Sequence, residues 1–376
     1  MLSREENELF TRVGPGTPAG EFLRRYWHPI ALAEEFKDKQ MKRLRILGEN
    51  LVLYKGEDGK YGLVEENCPH RGASLFYGKI EGSNIRCVYH GWLFSAEGKC
   101  LEQPAEPPDS TFKDRVRFTA YPVQKRAGLL FAYMGPKPVP LLPNYDVMAR
   151  KDGTRKIRLH PVLDCNWLQP MENSVDPTHT TYLHFGGTGR PVHGDIKKEI
   201  DRHDFEPFEY GIMKKRYVKN GNGSFELVNA HPLVFPNMLR QCHGREHYIQ
   251  WRVPEDDTHT LLFQLFFTET KDGSEVEQPE YPPVEYMPPY KNPDGTHRMD
   301  KVIAQDYMAW ETAGPIYDRT REQLGVADRG IILYRKLLKE QIEKVARGED
   351  PIGVVRDAEK NRLIVFETVT DSSREA

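Results

Sequence analysis

Cys68-Pro-His70 and Cys87-Val-Tyr-His90 form two pairs, with sixteen residues between His70 and Cys87. Four soft or borderline ligands of this kind can hold one zinc ion. They can equally hold a [2Fe–2S] cluster in which two histidines replace two cysteines on one iron. Spacing discriminates. Structural zinc sites commonly use C-x-x-C or H-x-x-x-H pairs, because both members of a pair must reach one ion. In a two-iron cluster each loop can give its cysteine to one iron and its histidine to the other. The neutral imidazoles leave such a cluster less negative and raise its potential above that of an all-cysteine cluster. Gly72 and Gly91 flank the pairs and would allow close backbone approach, so that amides donate to the sulfides.

An electron store needs a consumer. The stretch NWLQPMENSVDPTHTTYLH, residues 166–184, carries Asp176, His179 and His184. Asp176-Pro177 also has the form of a helix N-cap followed by proline at the first helical position. Two histidines and one carboxylate on one face of iron leave positions open for dioxygen and substrate. Histidines five apart sit about 140° apart on a regular helix, so both reach one metal only if the helix ends or bulges between them. Thr180-Thr181 followed by Phe185-Gly186-Gly187 marks such an ending. The third ligand must come from elsewhere, and Asp300, Asp306, Glu311 and Asp318 are the candidates. Asp300 and Asp318 have the look of capping or solvated residues, and periodicity does not choose among the rest.

These residues need a frame. Up to residue 134 the pattern is short strands with tight turns: LRILG, ENLVLYK, the turn Asp58-Gly59, YGLVEEN, then FSAEGKCLEQ and YPVQKRAGLLFAYMG. GPKPVPLLP, residues 135–143, carries four prolines and divides the chain into a small, mostly β domain, 1–139, and an α+β domain, 140–376. In the second, KIRLHPVL, SFELVN, HYIQWRV and HTLLFQLFFTET predict an antiparallel sheet. A helical segment is expected over 167–183, a long proline-rich loop over 275–293, and helices over 299–312 and 329–345.

Composition bounds the function. Of 376 residues, 38% are hydrophobic and 29% charged, with a net charge of −3, so there is no basic surplus for nucleic acid. No apolar run reaches the roughly twenty residues of a membrane span, and MLSREENELF lacks a signal-peptide core. Five cysteines in so long a chain argue against a disulfide scaffold and for the reducing cytoplasm. Cys100, Cys165 and Cys242 read as plain buried thiols. Gly221-Asn-Gly223-Ser lacks the third glycine of a dinucleotide fingerprint, so electrons are expected from a separate reductase. Arg190, His193, His231, His243 and His247 fall in the region expected to line a substrate pocket.

CPHRGASL and YHGW closely resemble the Rieske ferredoxin and Rieske oxygenase family. E-N-x-x-D-x-x-H-x-x-x-x-H, matched by Glu172, Asn173, Asp176, His179 and His184, resembles oxygenase α subunits. IAQDYMAWETAGPIYDRTREQLGVADRGI resembles their phthalate dioxygenase-like branch. That resemblance implies a Rieske [2Fe–2S] domain followed by a helix-grip antiparallel-sheet catalytic domain. It implies that Cys68 and Cys87 bind one cluster iron and His70 and His90 the other. It implies a mononuclear Fe(II) on His179, His184 and Asp306, with Asp176 bridging His90 to His179 of a neighbouring subunit in a homotrimer. The implied partner is a separate NAD(P)H-dependent flavin/iron–sulfur reductase. The implied reaction uses dioxygen to dihydroxylate, monohydroxylate or O-dealkylate an aromatic acid or aryl ether. A non-enzymatic Rieske electron carrier would explain residues 68–92 but leave His179, His184 and Asp306 without work.

Overall fold

Hairpins dominate the amino-terminal half, as the turn signals require. Met41–Ile46, Glu49–Lys55 and Tyr61–Glu65 pair antiparallel, with Ala120–Tyr121 on the outer edge. A second small sheet, Lys79–Glu81, Asn84–Arg86, Leu93–Phe94 and Cys100–Glu102, carries the two cysteine–histidine loops between and beside its strands. The two sheets enclose their own core of Val52, Tyr54, Val64, Leu75, Ile85, Trp92 and Phe94. The computed structural model describes residues 1–184 and 202–370 of the chain.

Beyond the proline-rich stretch a nine-stranded sheet takes over. Its order is 202–208, 211–219, 225–234, 238–243, 246–254, 260–269, 153–159 and 284–286, with 369–370 pairing against 225–234. All its pairings are antiparallel except the last on the main path, where Ile157–Leu159 runs parallel to Val284–Tyr286. That short strand lies inside the expected loop of 275–293. Its pairing is tertiary, and a proline-rich sequence gives no local signal for it.

Alternation along the strands sends two sets of side chains to opposite faces. Ile249, Trp251 and Val253 join Phe131, Leu130 and Trp27 in one large core, which the Arg329–Ala346 helix completes through Tyr334, Leu338 and Ile342. The other face is polar. Lys214 sits opposite His231, Gln241 opposite Tyr248, and Gln250 opposite Gln264. Such a face cannot pack against another apolar layer, so it lines a cavity.

Helices roof that cavity. The helical stretch expected over 167–183 is two helices, Leu168–Ser174 and Thr178–Tyr182, broken at Val175-Asp176-Pro177. Pro177 has no N–H to continue the first helix and disfavours helical backbone at Asp176. The Val302–Thr312 helix runs alongside, and Gln169 Nε2 donates to Trp310 O at 2.7 Å and to Gly314 O at 2.9 Å. Behind them Glu172, itself buried, accepts from Arg319 at 2.8 Å and Arg335 at 2.6 Å, and Arg335 also holds the buried Glu322. The Arg4–Thr11 helix docks on this assembly: Asn7 bonds Tyr317 O and Arg319, and Glu6 pairs with Lys339 at 2.9 Å. No helix among the described residues is long and apolar enough to cross a membrane.

Candidate active site and electron-transfer centre

The two cluster loops are closed by the same hydrogen bonds. Gly72 N–H donates to Cys68 O and Cys68 N–H to Ala73 O; Gly91 N–H donates to Cys87 O and Cys87 N–H to Trp92 O. Each loop thereby turns back on itself within five residues, which needs left-handed backbone at Gly72 (φ 75°) and Gly91 (φ 74°). The turn is thus the reason for both glycines. Close approach is added only at Gly91, where a Cβ would meet Pro104 Cγ at 3.1 Å. Cys68 and Cys87 are buried, and burial pushes the Cys68 thiol up to about 12. His70 is exposed and His90 half-buried, with ring centroids 4.5 Å apart and Trp92 stacked on His70 at 4.3 Å. Cysteines sit inside and histidines at the surface, so the loops offer two distinct ligand pairs. No three of these four ligand atoms lie within 4.8 Å of one another, as a single zinc would require.

His179, His184 and Asp306 are the only His/Cys/Asp/Glu set among the described residues whose ligand atoms all lie within 4.8 Å of one another. The Thr178–Tyr182 helix ends between the histidines, which lets rings five residues apart face each other at 5.1 Å. Asp306 comes from the Val302–Thr312 helix and is 9% exposed. The other carboxylates are employed elsewhere. Asp300 pairs with Arg298, Asp318 accepts from Thr320, and Glu311 takes Lys291 and His297 at 2.8 and 2.7 Å.

Hydrogen bonds on the far side of each ring set the chemistry at the centre. His179 Nδ1 donates to Asp176 O, and His184 Nδ1 donates to Gln305 Oε1 at 2.9 Å. Gln305 Nε2 donates to Met299 O at 3.0 Å, so its oxygen is the atom left for His184. Both Nε2 atoms are then free of protons and carry lone pairs toward Asp306 Oδ1, 3.7 and 3.1 Å away. Asp306 Oδ1 is buried and lacks a hydrogen-bond partner among the described residues. Three converging acceptors with no proton among them fit a divalent cation, and the set of two imidazoles and one carboxylate suits Fe(II). Burial draws His179 below its ordinary value against the pull of Asp306 and Asp176. At His184 burial lowers the ring, but Asp306 and the hydrogen bond to Gln305 together outweigh it and raise the ring. Asp306 thus draws positive charge to this point.

A cavity of about 550 Å³ opens beside the triad. Its floor is the polar sheet face, with Lys214, His231, Gln241, Gln250 and Arg252, and its walls include Leu239, Met287, Val302, Ile303 and Trp310. Burial pushes Lys214 down to about 8 and Arg252 to about 10, and holds His231 neutral. Of the expected pocket histidines, His231 and His243 line this cavity, whereas His247 is turned to Glu269 at 2.8 Å. Arg190 and His193 lie outside the described residues. Lys214, Arg252 and Gln305 were not singled out by sequence. A charged residue inside the buried run Ile249–Pro254 is the signal that marks Arg252. Cys100 and Cys165 are buried, as expected of structural thiols, and Cys242 is half-buried.

A model of the Rieske [2Fe-2S] domain matches residues 26–122, and one described as LigXa C-terminal domain like matches 296–375. The chain is 41% identical over 376 residues to the 5,5'-dehydrodivanillate O-demethylase oxygenase subunit of Sphingobium sp. (strain NBRC 103272 / SYK-6), covering 98% of this chain and 87% of that one. The chain is a Rieske non-haem iron oxygenase α subunit. It is also 34% identical over 362 residues to the phenoxybenzoate dioxygenase subunit alpha of Ectopseudomonas oleovorans, covering 91% and 86% of the two chains. The fold matches Pseudomonas putida CBB5 NdmA with caffeine (TM-score 0.64, 20% identity, 95% and 99% covered) and dicamba monooxygenase bound to dicamba (0.63, 16%, 87% and 99%). As a Rieske oxygenase component it carries a [2Fe–2S] cluster and mononuclear iron, and it depends on a reductase or ferredoxin partner.

Proposed function

We propose that this Rieske oxygenase acts on an aromatic acid or an acidic aryl ether, with O-demethylation the favoured outcome among demethylation, monohydroxylation and cis-dihydroxylation. The observation that carries the proposal is the convergence of His179 Nε2, His184 Nε2 and Asp306 Oδ1 at the wall of a cation-lined cavity. The relative named as an O-demethylase, similar over nearly the whole chain, supports the choice of reaction. His179, His184 and Asp306 would hold the mononuclear iron, Cys68 and Cys87 one iron of the cluster, and His70 and His90 the other. When bound, the cluster stores one electron and the mononuclear iron activates dioxygen for attack on the substrate. The chain's own part is to hold both Nδ1 protons away from the metal, on Asp176 O and Gln305 Oε1, and to shape the cavity.

Asp176 has a second role on this proposal. Its Oδ1 accepts from Thr178 N–H at 2.9 Å, which caps the short helix, while its Oδ2 lies 3.8 Å from His179 Nδ1. With one oxygen so placed and the residue half-buried, it could join His179 to the partner subunit's His90 in a homotrimer. The remaining proposals are a separate NAD(P)H-dependent flavin/iron–sulfur reductase, a cytoplasmic location, and a domain division near residues 139–140.

The test is EPR of anaerobic, Fe(II)-loaded protein exposed to nitric oxide, repeated with aromatic carboxylates and aryl methyl ethers. A high-spin iron–nitrosyl signal reshaped by one compound supports the proposal and names the substrate class. Fully iron-loaded protein whose signal none of the aromatic carboxylates or aryl methyl ethers reshapes would overturn the proposed substrate class.

A further inference from the structure

Among the described residues the other buried cations are paired with a carboxylate or spend their donors on hydrogen bonds, with two exceptions. Arg240 holds Asp146 at 2.7 Å, Arg319 and Arg335 hold Glu172, and Arg155 spends its guanidinium on Val147 O, Arg150 O and Gln278. Lys214 and Arg252 differ. Lys214 is 7% exposed and among the described residues its Nζ donates only to Ser174 O, at 3.0 Å. Arg252 is 2% exposed; its Nη1 touches Met171 Sδ at 3.8 Å and its Nε has no hydrogen-bond partner. Neither has a carboxylate partner among the described residues, although Lys and Arg are almost never this buried unpaired. Both line the cavity beside the triad; Arg252 lies close enough to weaken the hold of Lys214 on its proton, and both feel Asp306. Asp306 and Asp176 keep their charges nearby, but Asp306 Oδ1 faces the metal position and Asp176 Oδ1 accepts from Thr178 N–H, and among the described residues neither stands within ion-pair distance of Lys214 or Arg252.

We infer that Lys214 and Arg252 form a seat for an ionised oxygen carried on the substrate's aromatic ring, a carboxylate or a phenolate. The rest of the cavity fits the ring that bears it: Trp310, Met287 and Ile303 supply apolar wall on the helix and loop side. An anion lying between the two cations receives a guanidinium and an ammonium donor in a site already stripped of water, where charge-assisted hydrogen bonds are strong. The ring is thereby held by its acidic substituent, and the substituent on its other side is the one presented to the iron. This inference rests on the proposed reaction of an acidic aromatic substrate, but the binding itself does not need turnover.

The experiment is calorimetric titration of the holoprotein, cluster and iron present, with matched probes. The carboxylate arm compares 3,4-dimethoxybenzoate with its methyl ester; the phenolate arm compares ionised 4-nitrophenol with 4-nitroanisole. We expect the ionised member of at least one pair to bind about 30-fold or more tighter than its neutral partner, as for a buried charge pair. Lys214→Met should abolish that preference while the neutral probe binds unchanged, and Lys214→Arg should retain it. Arg252→Lys, which keeps the charge, serves if larger changes at 252 impair folding, and should keep most of the preference. Equal binding of acid and neutral partner in both arms, or an undiminished preference in folded Lys214→Met, overturns the inference. Intact acid selectivity with an iron–nitrosyl signal that no acid reshapes would instead remove the proposed reaction and leave the seat standing.

Discussion

Replacing Gln305 by leucine takes an acceptor away from the iron site without touching a ligand. Gln305 is 3% exposed and precedes Asp306 in the same helix. Its Oε1 fixes the proton of His184 on Nδ1, and its Nε2 is tied to Met299 O. In the leucine variant the His184 Nδ1–H is left buried and unpaired, at a cost of about 1–3 kcal/mol. The ring can recover by moving its proton to Nε2, where Asp306 Oδ1 waits 3.1 Å away as an acceptor. That tautomer cannot ligate, so iron must compete with a proton for the same point. Loss of such an outer partner typically weakens metal binding about 10- to 100-fold, or about 1.4–2.8 kcal/mol. The assay is anaerobic Fe(II) titration against a competing chelator, read by the iron–nitrosyl signal, with visible absorbance of the cluster and thermal melting as controls. Gln305→Glu, which keeps the acceptor, should bind iron near the wild-type level. If Gln305→Leu melts normally and retains iron to within twofold of wild type, the tautomer argument is wrong.

Glu172→Gln should cost about 3 kcal/mol of stability, because it leaves Arg319 and Arg335 buried with less than their share of negative charge; chemical denaturation of cluster-loaded protein measures it. Acid should destabilise the fold well above the carboxylate range. Burial pulls His28 and His160 down to about 4, so below pH 6.5 the unfolded chain binds protons that the folded chain refuses. Stability is full above that pH and declines as pH falls toward 4, by about 3 kcal/mol for each ring, and His28→Gln should flatten part of the decline in urea midpoints taken at pH 7 and 5. Asp176→Asn should leave melting and iron content nearly unchanged, since asparagine can still cap Thr178, while product formed per reduced cluster falls sharply in single-turnover experiments. An unaltered single-turnover yield would confine Asp176 to its capping role.

What could be read from sequence divides along the range of the interactions. The cluster ligands were legible because four ligating residues and two turn glycines lie within 25 positions, and the hairpins because Asp58-Gly59 and Glu97-Gly98 are local signals. The break between the two roof helices was legible only in part: Asp176-Pro177 has the form of a helix start, but no glycine or proline before it marks where the first helix ends. The triad was legible at His179 and His184 but not at its carboxylate, where four candidates stood within nineteen residues. They separate only in three dimensions, where Asp300, Glu311 and Asp318 find other partners. Lys214 lies in the run KKR, whose composition suggests solvent. Only its register opposite His231 turns it into the cavity. The parallel strand Val284–Tyr286 is set by tertiary pairing alone.

The docking of the Arg4–Thr11 helix bears on how the protein is made. Asn7 meets Tyr317 and Arg319 across 310 and 312 residues of chain, and Glu6 meets Lys339 across 333. During synthesis these early residues leave the ribosome long before their partners exist, whereas the cysteine–histidine loops close through contacts five residues apart. The electron-storing sheets can therefore consolidate while translation continues, and the half that holds the triad locks only after residue 339 has emerged. Cofactor insertion inherits that order: the cluster loops can close before the later partners exist, and the half that holds the triad finishes after them.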